Sequence, residues 1–161
     1  LEKQFEKLIK DHELLILKVC AVYVSHGADR QDLFQEIVIQ LWKAYPKFKG
    51  ESKLSTWLYR VAINTAISGL RKVKNFIQSY EPGTLPGHLV NTDDNKEKEE
   101  YFKQLYHAIN QLNQIEKAIV MLYLEDRSYE EMKDILGINE GTLRVKMNRI
   151  KEKLRELTQN K

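Results

Sequence analysis

The most constraining feature of the sequence is the stretch Ser128 to Leu157, which predicts two helices joined by a tight turn. Ser128 and Glu131 have the spacing of a capping box, which satisfies free N–H groups at the start of a helix. Gly137 can end that helix at positive φ, and Asn139 can cap a second, longer helix. A short helix, a turn containing glycine and a longer basic helix are together typical of a helix-turn-helix unit.

The second of these helices has an apolar side and a basic side. Its apolar residues fall on one stripe, at about 100° per residue, and must pack inward; they are Leu143, Met147, Ile150, Leu154 and Leu157. From Arg144 to Arg155 there are six basic residues and one acidic residue. A recognition helix presents its N-terminal end to the major groove of DNA. The pattern favours duplex DNA binding over the alternative, a solvated helix in a bundle, although such patterns are common.

The remaining composition indicates a chain of long helices. The 161 residues suffice for one ordinary domain or two small ones, and they include only 7 glycines and 3 prolines. Apolar residues at helical spacing with so few breakers predict an all-α protein. The net charge of +3 does not identify a nucleic-acid binder, so the distribution of charge matters more.

Several other classes of protein are disfavoured. The one cysteine, Cys20, excludes an intramolecular disulfide framework, and its apolar surroundings favour a core position over a reactive one. No apolar run is close to the roughly 18 residues that a membrane span needs, and no signal-peptide pattern opens the chain, so we expect a cytoplasmic protein. The histidines lie far apart, and neither a phosphate loop nor metal-ligand spacing occurs. We therefore expect no catalytic chemistry, metal or cofactor.

The first part of the chain predicts core helices from Phe5 to Val24, followed by a helix to about Ala44 that Asp29 or Asp32 can cap. In the helix that ends at about Ala44, four polar residues lie off the apolar face: Asp32, Gln35, Glu36 and Gln40. They form either a plain solvated surface or a docking face. Composition alone favours the solvated surface.

Aromatic and basic residues interleave in the next segment, from Trp42 to Arg60. Pro46 ends the preceding helix, and residues 47–54 predict a loop. Eight basic residues and one acidic residue lie between Lys43 and Lys74. Because aromatic rings stack on unpaired bases and basic side chains follow phosphates, this combination suits single-stranded nucleic acid. The alternative is that the aromatic residues belong to an ordinary core.

The helix predicted from Ser55 to Arg71 supports the nucleic-acid interpretation. Winding it places Trp57, Arg60, Asn64 and Arg71 on one stripe, apart from the stripe expected to face the core. A polar stripe that holds both a tryptophan and an asparagine is unusual for plain surface.

Helical periodicity is lost between Ile77 and Asn95, where proline and glycine cluster. We therefore predict a first domain of residues 1–75, a linker of residues 76–98 and a second domain of residues 99–161. The second domain should be a bundle of about four helices, one of them capped by Asn113 and Glu116.

Two blocks of the sequence resemble the extracytoplasmic-function (ECF, group IV) sigma factors of bacterial RNA polymerase. The block from Asp32 to Ala66 is similar to region 2 of that family, and its F-x-G-x-S…TWLYR-x-A-x-N run is specific. The block from Leu112 to Leu154 is similar to region 4, of which many response regulators share a part. The order and spacing of the two blocks in one short chain carry the assignment.

The resemblance implies a transcription initiation factor of two helical domains that binds core RNA polymerase and directs it to promoters. It implies docking on the β′ clamp helices through a helix with Asp32, Gln35, Glu36 and Gln40. It implies melting and reading of the −10 element by Lys49, Ser52, Lys53, Trp57, Arg60 and Asn64. It implies reading of the −35 duplex by Thr142, Arg144, Lys146 and Arg149.

Further partners follow from the same resemblance: promoter DNA, the β flap of the polymerase and an anti-sigma factor that silences the protein. The alternative is a helix-turn-helix regulator that binds duplex DNA without acting as a sigma subunit. Co-purification with core polymerase would separate the two.

Overall fold

A computed structural model describes residues 1–73 and 96–159 of the chain. In these ranges the regular structure consists of α-helices and one 3-10 turn at Tyr45–Lys47, without a strand, which confirms the all-α prediction. The helices are α1 (Glu2–Asp11), α2 (Glu13–Tyr23), α3 (Gly27–Ala44), α4 (Leu54–Val73), α5 (Lys96–Asn110), α6 (Gln114–Leu124), α7 (Tyr129–Leu136) and α8 (Glu140–Gln159).

The helices belong to two compact units, one with α1 to α4 and the other with α5, α6, α8 and most of α7. The predicted linker, residues 76–98, lies outside the described residues up to position 95, and α5 already begins at Lys96. The domain limits at positions 75 and 99 stay predictions.

In the first unit α2, α3 and α4 pack against one another, and α1 packs on α2. The side chains with no exposed surface at their centre are Ile16, Val19, Cys20, Ile37, Leu41, Leu58 and Ala62. Each large aliphatic side chain buried in this way contributes about 1.5–3 kcal/mol. Burial also raises the pKa of the Cys20 thiol to about 11, an effect that the charge of Arg30 opposes. Cys20 is therefore a neutral core residue, as the sequence predicted.

The start of α3 differs from the prediction. The helix begins at Gly27, and the carbonyl of His26 accepts the hydrogen bond from the N–H of Arg30. The Nε of Arg30 donates to the carbonyl of Val24 at 2.7 Å, which ties the first turn back to the end of α2. The predicted caps at Asp29 and Asp32 are therefore wrong, since both residues lie inside the helix.

In the second unit α8 packs against α5 and α6. Its predicted apolar stripe does face inward: Leu143, Met147 and Ile150 are buried, and Leu154 and Leu157 are half-buried. The N-terminus of α6 has the predicted capping box, in which Asn113 and Glu116 exchange backbone-to-side-chain hydrogen bonds of 2.8 and 3.0 Å.

The turn between α7 and α8 is built as the sequence predicted. The Ser128 hydroxyl accepts a hydrogen bond from the N–H of Glu131 at 3.1 Å and so caps α7. Gly137 ends α7 with a φ of +72°, a conformation that strains any residue with a Cβ. Asn139 Oδ1 accepts from the N–H of Thr142 at 2.8 Å and caps α8. Both helices therefore have fixed start points.

Candidate nucleic-acid interface

Five aromatic rings of the first unit form a continuous series, here called the aromatic ladder. In order along the ladder they are Trp42, Phe5, Tyr45, Trp57 and Phe48. Successive ring centroids lie 5.0, 5.5, 6.3 and 4.8 Å apart. The rings come from α1, α3, the 3-10 turn, the following loop and α4, so the ladder joins these elements into one body.

The aromatic ladder corrects the sequence interpretation of Trp57. Its side chain is only 8% exposed, because Phe48 folds back from the loop and stacks on it with an interplanar angle of 25°. The expectation that Trp57 shares an open polar stripe with Arg60 and Asn64 is therefore wrong for the tryptophan. Tyr59 is also core, with 2% exposure. These rings stack on protein, as the alternative interpretation held.

The loop at residues 48–53 starts from the aromatic ladder. Stacking of Phe48 on Trp57 fixes its first residue, and Gly50 turns the chain with a φ of +72°. Lys49 and Lys53 are exposed after this anchor, and Ser52 is half-buried. The loop thus presents two ammonium groups from a rigid base, which suits the phosphates of a nucleic-acid strand.

A groove of about 660 Å³ runs along the junction of α3 and α4 in the first unit. It is lined by Glu36, Gln40 and Ala44 of α3 and by Val61, Asn64, Thr65, Ser68 and Gly69 of α4. The Gln40 amide donates to the Glu36 carboxylate at 3.0 Å along the α3 wall. Residues for which the resemblance implies polymerase docking (Glu36, Gln40) and contact with the −10 strand (Asn64) therefore line one groove.

The outward side of α3 carries the predicted docking residues. Asp32, Gln35 and Glu36 are exposed, and Gln40 is half-buried. At 100° per residue Ile39 falls between Asp32 and Gln35, and it is 45% exposed. Sequence reasoning missed Ile39, although its position off the Leu33, Ile37 and Leu41 stripe was a usable signal. Single exposed aliphatic side chains are common on protein surfaces, so Ile39 gains significance only from its place among the predicted docking residues.

In the second unit the basic residues of α8 divide into two groups. Lys153 pairs with the Glu116 carboxylate at 3.3 Å, and the Lys151 ammonium lies 4.9 Å from the centroid of the Tyr123 ring. Both contacts join α8 to α6. The sequence analysis grouped these lysines with the other basic residues of α8. In the structure they face a neighbouring helix and support packing.

The N-terminal half of α8 carries the predicted duplex-binding residues. Thr142, Arg144 and Arg149 are exposed, and Lys146 is half-buried. The guanidinium carbon of Arg144 lies 5.2 Å from the centroid of the Tyr129 ring, the first residue of α7. This end of α8 therefore combines three cations with a fixed helix start, an arrangement that fits the major groove of duplex DNA.

Among the described residues, no group of three or more His, Cys, Asp or Glu side chains is arranged to hold a metal ion. In the same part of the chain, no helix has the length and apolar character that crossing a membrane requires.

Two sequence families match the chain. Sigma-70 region 2 matches residues 8–76, and Sigma-70 region 4 matches residues 102–154. The ECF RNA polymerase sigma-E factor of Haemophilus influenzae is 31% identical over 165 residues, which cover 94% of this chain and 85% of that protein. The ECF RNA polymerase sigma-E factor of Escherichia coli K12 is 28% identical over 162 residues, covering 94% and 84%.

Solved structures share the fold. The sigma factor RpoE from Bartonella quintana, solved with the anti-sigma factor NepR, matches with a TM-score of 0.76 at 21% identity, over 98% of both chains. CnrH, solved with the cytosolic domain of CnrY, matches with a TM-score of 0.69 at 15% identity, over 98% of this chain and 88% of that one. Region 2 and region 4 follow each other along most of the chain, and a relative covered over 85% of its length is 31% identical, so the chain belongs to the ECF RNA polymerase sigma factors, the non-catalytic initiation factors that direct RNA polymerase to promoters.

Proposed function

We propose that the first unit holds the melted −10 strand while the second unit grips the closed −35 duplex. The observation that carries this proposal is the pair of exposed basic surfaces within the region 2 and region 4 sequences. One is the loop with Lys49 and Lys53, and the other is the start of α8 with Arg144 and Arg149.

At the −10 element, polar groups of the loop and of α4 do the binding. Lys49 and Lys53 neutralise phosphates, while Ser52 and Asn64 hydrogen-bond an unpaired base. Because Trp57 is covered by Phe48, its part is to hold the loop in place. Loop side chains that enclose an extruded base recover the unstacking energy of a few kcal/mol that extrusion costs. Arg60, half-buried on α4, completes the set predicted from the sequence.

At the −35 element, α8 lies in the major groove. Arg144 and Arg149 have planar guanidinium groups, which can bind guanine edges or phosphates with two hydrogen bonds each. Lys146 binds phosphate as a point charge, and Thr142 lies at the capped end that enters the groove. Phosphate contacts set the salt-dependent affinity, and base contacts set the choice of sequence.

Docking on core polymerase is assigned to the outward side of α3. We place the β′ clamp helices against Asp32, Gln35, Glu36 and Gln40, with Ile39 as the apolar centre. The second unit would meet the β flap. An anti-sigma factor would silence the protein. The structurally similar RpoE was solved in complex with such a factor, NepR. We place this action in the cytoplasm, and the polymerase supplies all the catalysis.

Transcription in vitro tests the proposal. Core polymerase with and without the chain is given a library of genomic fragments, and the transcript start sites are sequenced. We expect starts that share one −35 and one −10 motif, with permanganate-reactive thymines at the −10 element. The proposal fails if starts share a motif but the −10 region stays unreactive, or if the chain adds no start sites.

A further inference from the structure

Arg144 and Tyr129 lie on different helices of the helix-turn-helix unit, yet the guanidinium lies over the ring at 5.2 Å. Tyr129 is half-buried, whereas Arg144 is exposed at the start of α8. The caps at Ser128 and Asn139 fix both backbones, so the two side chains meet at defined positions.

We infer that Tyr129 is a positioning residue for promoter recognition. Its ring holds Arg144 in the orientation in which the guanidinium group contacts the −35 duplex. This inference rests on the proposed function of α8. It adds a residue outside the DNA-facing set, on the helix that precedes the recognition helix.

The chemistry of arginine makes this arrangement effective. A guanidinium group spreads five N–H donors around its plane, so a ring on one side of the group leaves donors available for a base edge or a phosphate. A long side chain already held in place loses less rotational freedom when DNA binds. An exposed cation–π contact of ordinary strength changes an equilibrium by about two- to fivefold. We therefore expect Tyr129 to tighten promoter binding by about threefold.

The competing explanation is that the contact only joins α7 to α8. A purely structural ring would support binding whether or not residue 144 is arginine. A positioning ring would matter only when the guanidinium is present. A phenylalanine at position 129 keeps the ring and removes only the hydroxyl, so it should preserve the effect.

The experiment uses the whole 161-residue chain assembled with core polymerase and a duplex promoter fragment found by start-site sequencing. Dissociation constants are measured for Tyr129→Leu, Tyr129→Phe, Arg144→Ala and the Tyr129→Leu/Arg144→Ala double variant. We expect Tyr129→Leu to weaken binding about threefold with Arg144 present and to have no effect in the Arg144→Ala background. Tyr129→Phe should bind as the original chain does.

Equal weakening in both backgrounds would overturn the inference, as would a Tyr129→Phe variant that binds as weakly as Tyr129→Leu. Arg149→Ala separates this failure from failure of the proposed function. If Arg149→Ala weakens binding while Tyr129→Leu shows no coupling to Arg144, only the positioning role is wrong. If neither arginine variant weakens binding, the assignment of α8 to the −35 duplex is wrong, and the positioning role is wrong with it.

Discussion

Replacing Trp57 by alanine tests whether the aromatic ladder supports the −10 loop. Trp57 is 8% exposed and contacts two rings of the ladder, at 4.8 and 6.3 Å. A buried tryptophan replaced by alanine costs about 3–5 kcal/mol, and loss of the stacked pair accounts for about 1 kcal/mol of this. The free energy of unfolding of a domain is roughly 5–15 kcal/mol, and we therefore expect Trp57→Ala to remove a large part of it.

The assay is urea unfolding of the 161-residue chain, monitored by circular dichroism. Trp42 is the matched control, because it is the same residue type in the same ladder but is 40% exposed. Trp42→Ala should cost only about 1–2 kcal/mol. If Trp57→Ala lowers the free energy of unfolding less than Trp42→Ala does, yet abolishes binding of the −10 strand, Trp57 acts as an exposed base-stacking residue and our account of the loop is wrong.

Three further predictions address the two binding surfaces. Arg149→Gln should reduce the slope of log K for promoter duplex against log salt concentration by about 0.9. Lys153→Gln should leave that slope unchanged, because Lys153 pairs with Glu116 of α6. Equal slopes for the two variants would contradict this division of the basic residues of α8. Ile39→Ala should weaken core polymerase binding about tenfold in a pull-down titration, as expected when an apolar side chain at an interface centre is truncated. Leu17 on α2 is equally exposed, at 45%, and Leu17→Ala should leave polymerase binding unchanged. Equal losses of binding in the two variants would contradict the docking role of α3. Asn64→Ala should leave closed-complex binding intact and reduce permanganate reactivity at the −10 element several-fold; normal melting would refute the role of Asn64.

Features set by local sequence were predictable. The caps at Ser128 and Asn139, the left-handed Gly137 and the inward stripe of α8 each depend on residues within a few positions of one another. At each of these positions the residues that interact are near neighbours in the sequence, and the structure has the interactions that the sequence predicted.

Features that depend on contacts between distant segments were not predictable. Winding α4 alone places Trp57 beside Asn64, but only the fold shows that Phe48 covers the tryptophan. Counting charges along α8 treats all its cations alike, whereas the structure divides them by which neighbour they face, as Lys151 over Tyr123 shows. The cap of α3 was misplaced because Arg30 ties the helix start back to Val24, a contact that no capping pattern contains.

The most direct test of the account measures how the chain, assembled with core polymerase, binds the −10 element as a non-template single strand and as a duplex. We predict tighter binding of the single strand, and loss of most of that preference in a Lys49→Gln/Lys53→Gln variant, with a fall in the salt slope of about 0.7 for each phosphate contact removed. Equal affinity for the single strand and the duplex, or a preference that the double variant keeps in full, would contradict the account.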